Sequence, residues 1–344
     1  MLKLWKLIII TLSFWACNND IKIAAPWKET IVVYGLLDPA ASVNYIRIQK
    51  AFLDPDGNAF QFVNENDSIY PKSLTVKLFV RKNGTLIDTL FPQLIKGEDF
   101  GIKKDTGLFS TAPNYLYKVD KKIFDSRIIT GGTEDYEYEL VIKNKLTGYQ
   151  CSAKTNTTGL LESSAPVDES STNLSINDKA NSYLSIVYRE GRNVKTYDLI
   201  IRFWYEEALK SDTSIKTLKS FDWNIFKNKP TKSIRGYESQ FFQISGSFFY
   251  EVLQSNIKPN SNFIRRAKYL DVEYYGAGED LYTFIQVNKP AIGIIQKKPE
   301  YSNISNGLGI FSSRYITSFK KIPVGLDMKN TLRNSAYTKD LNFE

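Results

Sequence analysis

From residue 29 onward, apolar and polar positions alternate along much of the chain, the period expected of half-buried strands. Thr30-Ile31-Val32-Val33-Tyr34-Gly35-Leu36-Leu37 is apolar and β-branched. Val43 to Lys50 sets Ile46 and Ile48 on one face against Val43, Tyr45, Arg47 and Gln49 on the other. Asp38-Pro39 punctuates the two as a turn. Leu74 to Val80 alternates up to Asn83-Gly84, a strong short hairpin signal, and the alternation resumes over Thr85 to Leu90. Tyr136 to Ile142 makes a further strand that turns near Leu146-Thr147-Gly148 into a strand around Cys151. Short strands separated by turn residues predict an immunoglobulin-like β-sandwich over residues 29–157. The disulfide and core Trp of antibody domains are missing, so the likeness is architectural.

The pattern fades over 158–182. Ser163-Ser164-Ala165-Pro166-Val167-Asp168-Glu169-Ser170-Ser171-Thr172-Asn173 is polar and aperiodic, and predicts a linker. Strands return at Tyr183–Tyr188, Tyr197–Tyr205, Lys216–Phe226, Gln240–Ile244 and Tyr269–Tyr275. Two segments carry helical spacing. Ser247–Ile257 places Phe248, Val252 and Ser255 along one face with Phe249, Leu253 and Asn256 beside them. Glu279–Asn288 places Leu281, Phe284 and Ile285 at i, i+3 and i+4. Residues 183–344 therefore read as a second β-rich domain with a few helices, and the fold class as mainly β.

The first 28 residues follow other rules. Lys3 and Lys6 precede the apolar run Leu7 to Ala16, too short for a bilayer that needs about 20 apolar residues. Small Ala16 stands just before Cys17. This order resembles a bacterial lipobox, in which the cysteine sulfur receives diacylglycerol and the chain is cut before it. Phe14 stands where such leaders usually carry Leu. The expectation is a signal peptide over 1–16 and a lipidated Cys17 with a polar tether over 17–28. Two or more acyl chains hold a protein stably on a membrane, at about 0.8 kcal/mol per buried methylene.

Several segments resemble a family of Bacteroidota-type outer-membrane lipoproteins defined by a domain of unknown function. They are Ile31 to Leu37, then Tyr136 to Ile142 followed by Cys151-Ser152-Ala153-Lys154-Thr155, and finally Tyr301-Ser302-Asn303-Ile304-Ser305-Asn306-Gly307-Leu308-Gly309-Ile310-Phe311. The last is the most specific. The resemblance implies an N-terminal immunoglobulin-like domain, a mixed β domain after it, a place on the outer membrane facing the periplasm or the cell surface, and a TonB-dependent transporter as neighbour. It brings no catalytic residues.

Composition narrows the chemistry. The 344 residues include no histidine and two cysteines. That removes His-dependent triads, HExxH zinc sites and any thiolate cluster, and no metal site or cofactor is expected. Aromatics reach 14%, with 21 Tyr and 21 Phe, which favours sheets over helix bundles. Formal net charge is +8, and loss of Lys3 and Lys6 with the leader takes two off. The basic residues are dispersed in doublets such as Lys103-Lys104 and Lys320-Lys321, without the clustered stripe that nucleic acid requires. Cys151 sits in an alternating stretch and reads as a small hydrophobe. Asp54-Pro55-Asp56-Gly57-Asn58 reads as a turn rather than a calcium loop, because the distal ligands are absent.

Candidate binding positions are Tyr274 and Tyr275, beside the Gly276-Ala277-Gly278 turn, and Asn303, Gly307, Gly309 and Phe311. The alternative for the C-terminal motif is a structural corner that closes the second domain. Asp67-Ser68-Ile69 and Asp88-Thr89-Leu90 match a short O-glycosylation pattern, at Ser68 and Thr89. The expected function is a non-enzymatic lipoprotein, held by the lipid at Cys17, that binds a partner or nutrient as a transporter accessory. Two alternatives stand beside it: a structural or adhesion protein of the envelope, and a glycan hydrolase using paired carboxylates.

Overall fold

A computed structural model describes residues 29–51, 69–105, 113–120, 135–289 and 300–344. Among the described residues strands account for 53% and helices for 14%, with three α-helices, so the fold is mainly β. Cys17, the Asp54–Asn58 turn and Ser68 lie outside the described residues.

The first half supplies β1 (Thr30–Leu37), β2 (Asn44–Ala51), β3 (Leu74–Lys82), β4 (Thr85–Leu90), β5 (Gln93–Lys96), β6 (Tyr115–Val119), β7 (Tyr136–Asn144) and β8 (Gln150–Asn156). Asn83 and Gly84 both take positive φ, 48° and 82°, which joins β3 to β4 in a tight hairpin. β9 (Glu162–Ala165), β10 (Tyr183–Arg189), β11 (Thr196–Leu209), β12 (Asp212–Pro230), β13 (Ser239–Ser245), β14 (Phe263–Ala277) and β15 (Leu308–Pro323) follow. The helices are α1 (Gly246–Asn256), α2 (Glu279–Val287) and α3 (Leu326–Asn334).

One sheet of eight strands runs through the molecule in the order β12-β11-β14-β15-β1-β2-β6-β5. The four-stranded sheet β4-β3-β7-β8 and the three-stranded sheet β13-β10-β9 complete the strand layers. Two hydrophobic cores result. The first gathers Ile31, Val33 and Leu37 of β1, Ile46 and Ile48 of β2, and Val76, Leu78, Tyr138, Leu140 and Ile142 from the four-stranded sheet. The second gathers Leu199, Ile201 and Phe203 of β11, Leu270 and Val272 of β14, and Ile186 and Tyr188 of β10. Helix α1 adds Phe249, Tyr250 and Leu253, leaving Phe248 exposed, so its buried face is turned from the one the spacing marks. Helix α3 adds Met328 and Leu332.

Strand β15 serves both cores. Its first part, through Ser313, pairs in parallel with β1, and its second part, from Arg314, pairs antiparallel with β14. Ile304 and Phe311 consequently pack in the first core, not the second. This corrects the expectation that the C-terminal motif closes the second domain. A motif read from local spacing carries no information about which distant strand it pairs with. The 158–182 segment also packs more closely than its polarity predicts. It forms β9 and buries Leu161, Val167, Leu174 and Ile176 in the second core.

Polar contacts tie the halves where β15 changes partner. Ser313, fully buried, donates through its hydroxyl to Leu37 O at 3.1 Å, while its own Oγ accepts the Thr158 N–H at 3.0 Å. Nearby, Arg192 before β11 makes two 2.7 Å hydrogen bonds to Asp135 before β7. The Arg192 hydrogen bonds hold the Asp135 carboxyl below its ordinary value. A depressed carboxylate adds stability above its unfolded pKa and loses it as pH falls through the folded one. Arg192→Ala should therefore cost about 1 kcal/mol at neutral pH. The gap in melting temperature between this variant and wild type should narrow as pH falls below the ordinary Asp pKa of about 3.9. A gap unchanged by acid would contradict this ionic account.

Candidate functional site

The residues marked by sequence divide by where the sheet puts them. Tyr274 faces the second core and is fully buried, with its hydroxyl 3.2 Å from Ala165 O. Burial pushes that hydroxyl up to about 12. Tyr275, one residue on, faces the opposite side and donates to Glu273 at 2.8 Å. The two rings form no common surface, because adjacent strand residues point to opposite faces.

The C-terminal motif is a clasp. Asn303 accepts the Phe311 N–H at 2.9 Å and donates to Phe311 O at 2.7 Å, closing the loop between them. Ser305 bridges to Ser152 of β8, and Asn306 donates to Gln150 O at 2.8 Å. Phe311 is fully buried, and the bare face of Gly35 makes its room: a Cβ there would lie 2.9 Å from the ring. Gly307 and Gly309 have no space either, since their Cβ atoms would meet Ile31 O at 2.9 Å and Val33 O at 2.0 Å. These residues fasten the chain end to β1 and β8. Thr89, the described glycosylation candidate, is half-buried in β4, with its N–H on Asp88 Oδ1 at 2.8 Å.

Two carboxylates come together on β14. Asp271 and Glu273 share a face of β14, two residues apart, and both are largely buried. Lys320 reaches both, at 3.7 Å from Asp271 and in direct contact with Glu273. Trp204 Nε1 donates to Asp271 at 3.0 Å. Burial works to raise Glu273, but the hydrogen bonds from Lys320 and Tyr275 outweigh it and leave the carboxyl below its ordinary value. A glycosidase pair needs one carboxyl held protonated near neutral pH. Glu273 is pushed the other way. Cys151 is buried, and burial pushes its thiol up to about 11, away from a reactive thiolate.

A hollow of about 710 Å³ lies between the 160–163 and 315–319 stretches, and further open volume lies at one end of the first sandwich. A hollow of about 540 Å³ sits on the outer face of β1 and β2. Alternation explains its lining: Val32 and Tyr34 of β1 and Arg47 and Gln49 of β2 are the residues that the strands turn away from the core. Lys50 of β2 and the Lys103-Lys104-Asp105 stretch complete the wall. Asn114, fully buried, builds the support. Its N–H donates to Glu98 Oε1 at 2.8 Å, its side-chain amide donates to Ile102 O at 3.1 Å, and its Oδ1 accepts Arg47 Nη2 at 3.4 Å. One side chain thus fixes both Arg47 and the loop that brings Lys103 beside it.

A second hollow of about 540 Å³ opens between the layers, where Tyr70, Tyr115 and Tyr117 meet Pro71, Pro92 and Leu94. Tyr70 and Tyr115 meet edge to face at 5.0 Å, and Lys104 lies over the Tyr70 ring at 5.1 Å. A smaller, polar hollow of about 410 Å³ lies by the start of α2, but its acids are engaged: Asp280 with the Tyr301 hydroxyl at 2.6 Å, Glu279 with Lys195 at 3.4 Å.

Compared with models of known protein families and with curated proteins, the chain matches none. The chemistry at the sandwich end therefore stands on its own residues. One hollow is cationic with a partly apolar floor, and the other is aromatic. Both have the size of small-molecule or peptide-side-chain sites, and both are framed by strands rather than by loops alone. Among the described residues no group of three metal-ligating side chains occurs. The sequence had shown Arg47 and Lys103-Lys104 only as a strand position and one basic doublet among several. Their convergence depends on the Asn114 contacts, which no local pattern encodes.

Proposed function

We propose that the protein is a lipid-anchored, non-enzymatic binding protein of the bacterial outer membrane, using the end of its first sandwich to hold a partner or nutrient for a TonB-dependent transporter. The observation that carries this is the leader: basic residues, a short apolar run, then Ala16-Cys17. The likeness to outer-membrane lipoproteins in the early strands and the C-terminal motif adds the transporter as neighbour. The mature chain would stand on the membrane through acyl groups on Cys17. Two features favour binding over turnover. The chain has no histidine, so a neutral-pH base would have to be a retuned carboxyl or another group. The best-placed pair of acids, Asp271 and Glu273, is neutralised by Lys320.

The reading is tested by detergent extraction of the tagged full chain, identification of what co-purifies, and a parallel screen for hydrolysis of glycans and glycosides. A transporter retained with the chain, with no turnover, is the expected result. Turnover abolished by replacing one Asp or Glu would overturn the non-enzymatic assignment.

A further inference from the structure

We infer that the hollow on the outer face of β1 and β2 is a site for a small organic anion, whose carboxylate or phosphate sits against Arg47, Lys50 and Lys103 while its apolar body lies on Val32, Tyr34 and Ile69. The inference rests on the reading of this chain as a binding protein and names the ligand class.

Charge pairing elsewhere in the molecule carries the argument. Five described arginines are not exposed. Arg81, Arg192, Arg202 and Arg265 each meet a carboxylate, at 2.6 to 2.8 Å. Arg47 is the exception. Its contact is the neutral Asn114 amide oxygen at 3.4 Å, and its Nε is buried with no hydrogen-bond partner. Among the described residues no carboxylate meets it, and a half-buried guanidinium without a counter-charge is costly, because one neutral hydrogen bond offsets little of its desolvation. The fold nevertheless fixes it there through Asn114, and brings Lys50, Lys103 and Lys104 to the same hollow. Among the described residues of the lining Asp105 is the single acid, against four cations. Lys104 is occupied over the Tyr70 ring, which leaves Arg47, Lys50 and Lys103 for an incoming oxyanion.

The same wall selects for more than charge. Tyr34 is 46% exposed on the sheet face, and Val32 and buried Ile69 line the space beside it. A bare inorganic anion would satisfy the cations and leave this apolar surface wet. An anion carrying a ring or short alkyl group satisfies both, and a volume of about 540 Å³ accommodates such a molecule. Arg suits the role because its planar fork offers paired donors to carboxylate or phosphate oxygens.

The test is calorimetric titration of the full chain, in a neutral detergent, with phenyl phosphate, inorganic phosphate and phenol. Phenyl phosphate should bind saturably, about tenfold more tightly than either of the other two, and more weakly as salt is added. Arg47→Gln should weaken it at least about tenfold. Arg47→Lys should recover part of that loss. Should Arg47→Gln fail to fold, Lys50→Gln with Lys103→Gln removes two cations without touching the Asn114 contacts, and should weaken binding by about fivefold or more. Arg235→Gln, on an exposed loop of the second half, should change nothing. Absence of saturable binding, or binding untouched by the Arg47 or lysine changes, overturns the site while leaving the lipoprotein reading intact. Release of phenol, seen in the same samples, overturns the non-enzymatic reading instead and leaves the anion site standing.

Discussion

Gly309→Ala is expected to be among the most damaging single changes in the described residues, costing about 3 kcal/mol or more. Two effects combine. Gly309 sits at φ +104°, where a side chain is strained, and its Cβ would lie 2.0 Å from Val33 O in the paired strand β1. Relief would require β15 to leave β1, taking Phe311 out of the first core. Gly101→Ala is the matched control. Gly101 also has positive φ, at +73°, but a Cβ there meets nothing within 4 Å. Its cost should stay near 1 kcal/mol, the conformational part alone. Chemical denaturation of both variants decides. Equal losses would contradict the close packing of β15 on β1.

The second large effect is expected at Arg265. This side chain is 4% exposed and Glu207 beside it 6%, with Nε donating to Glu207 at 2.8 Å. Its Nη1 donates to Leu341 O at 2.7 Å, and its own N–H and C=O pair with Asn342 and Glu344. Arg265→Met would leave Glu207 buried with Lys219 as its remaining described cation and strip Leu341 O and Lys258 O of their side-chain donor. A loss of about 3–5 kcal/mol is expected. Burial alone would raise Glu207, but the Lys219 and Arg265 hydrogen bonds outweigh it and leave the carboxyl below its ordinary value. Its stabilising contribution is therefore complete above the unfolded Glu pKa of about 4.3 and lost as pH falls through the folded value. Glu207→Gln added to Arg265→Met should recover part of the stability, because the uncompensated charge is gone. A double variant no better than the single one would contradict the assignment.

Alternation made the fold legible wherever one face meets core and the other water. β11 shows it plainly, with Leu199, Ile201 and Phe203 buried and the residues between them less so. β15 escaped the same test. Gly309 to Ser313 are buried in succession, between β1 on one edge and crossing contacts on both faces, so the run carries no period of two. Helix α3 rests on two anchors, Met328 and Leu332, too few to stand out from a polar segment. The 158–182 stretch hides its four core residues among serines and acids, because composition averages over what individual anchors do. The cationic hollow was illegible for a different reason. Arg47 occupies an outward strand position that looks solvated, and only the distant Asn114 turns it into part of a wall.

The lipid anchor is the claim on which the rest of the functional account depends. The most direct measurement is the intact mass of the chain extracted from membranes, with sequencing of its N-terminal peptide. The expected mature protein begins at Cys17 and carries diacylglycerol on the sulfur and an acyl group on the new amine. Cys17→Ala should then release the chain into the soluble fraction. An unmodified Cys17, or a mature N-terminus at another residue, would contradict the account.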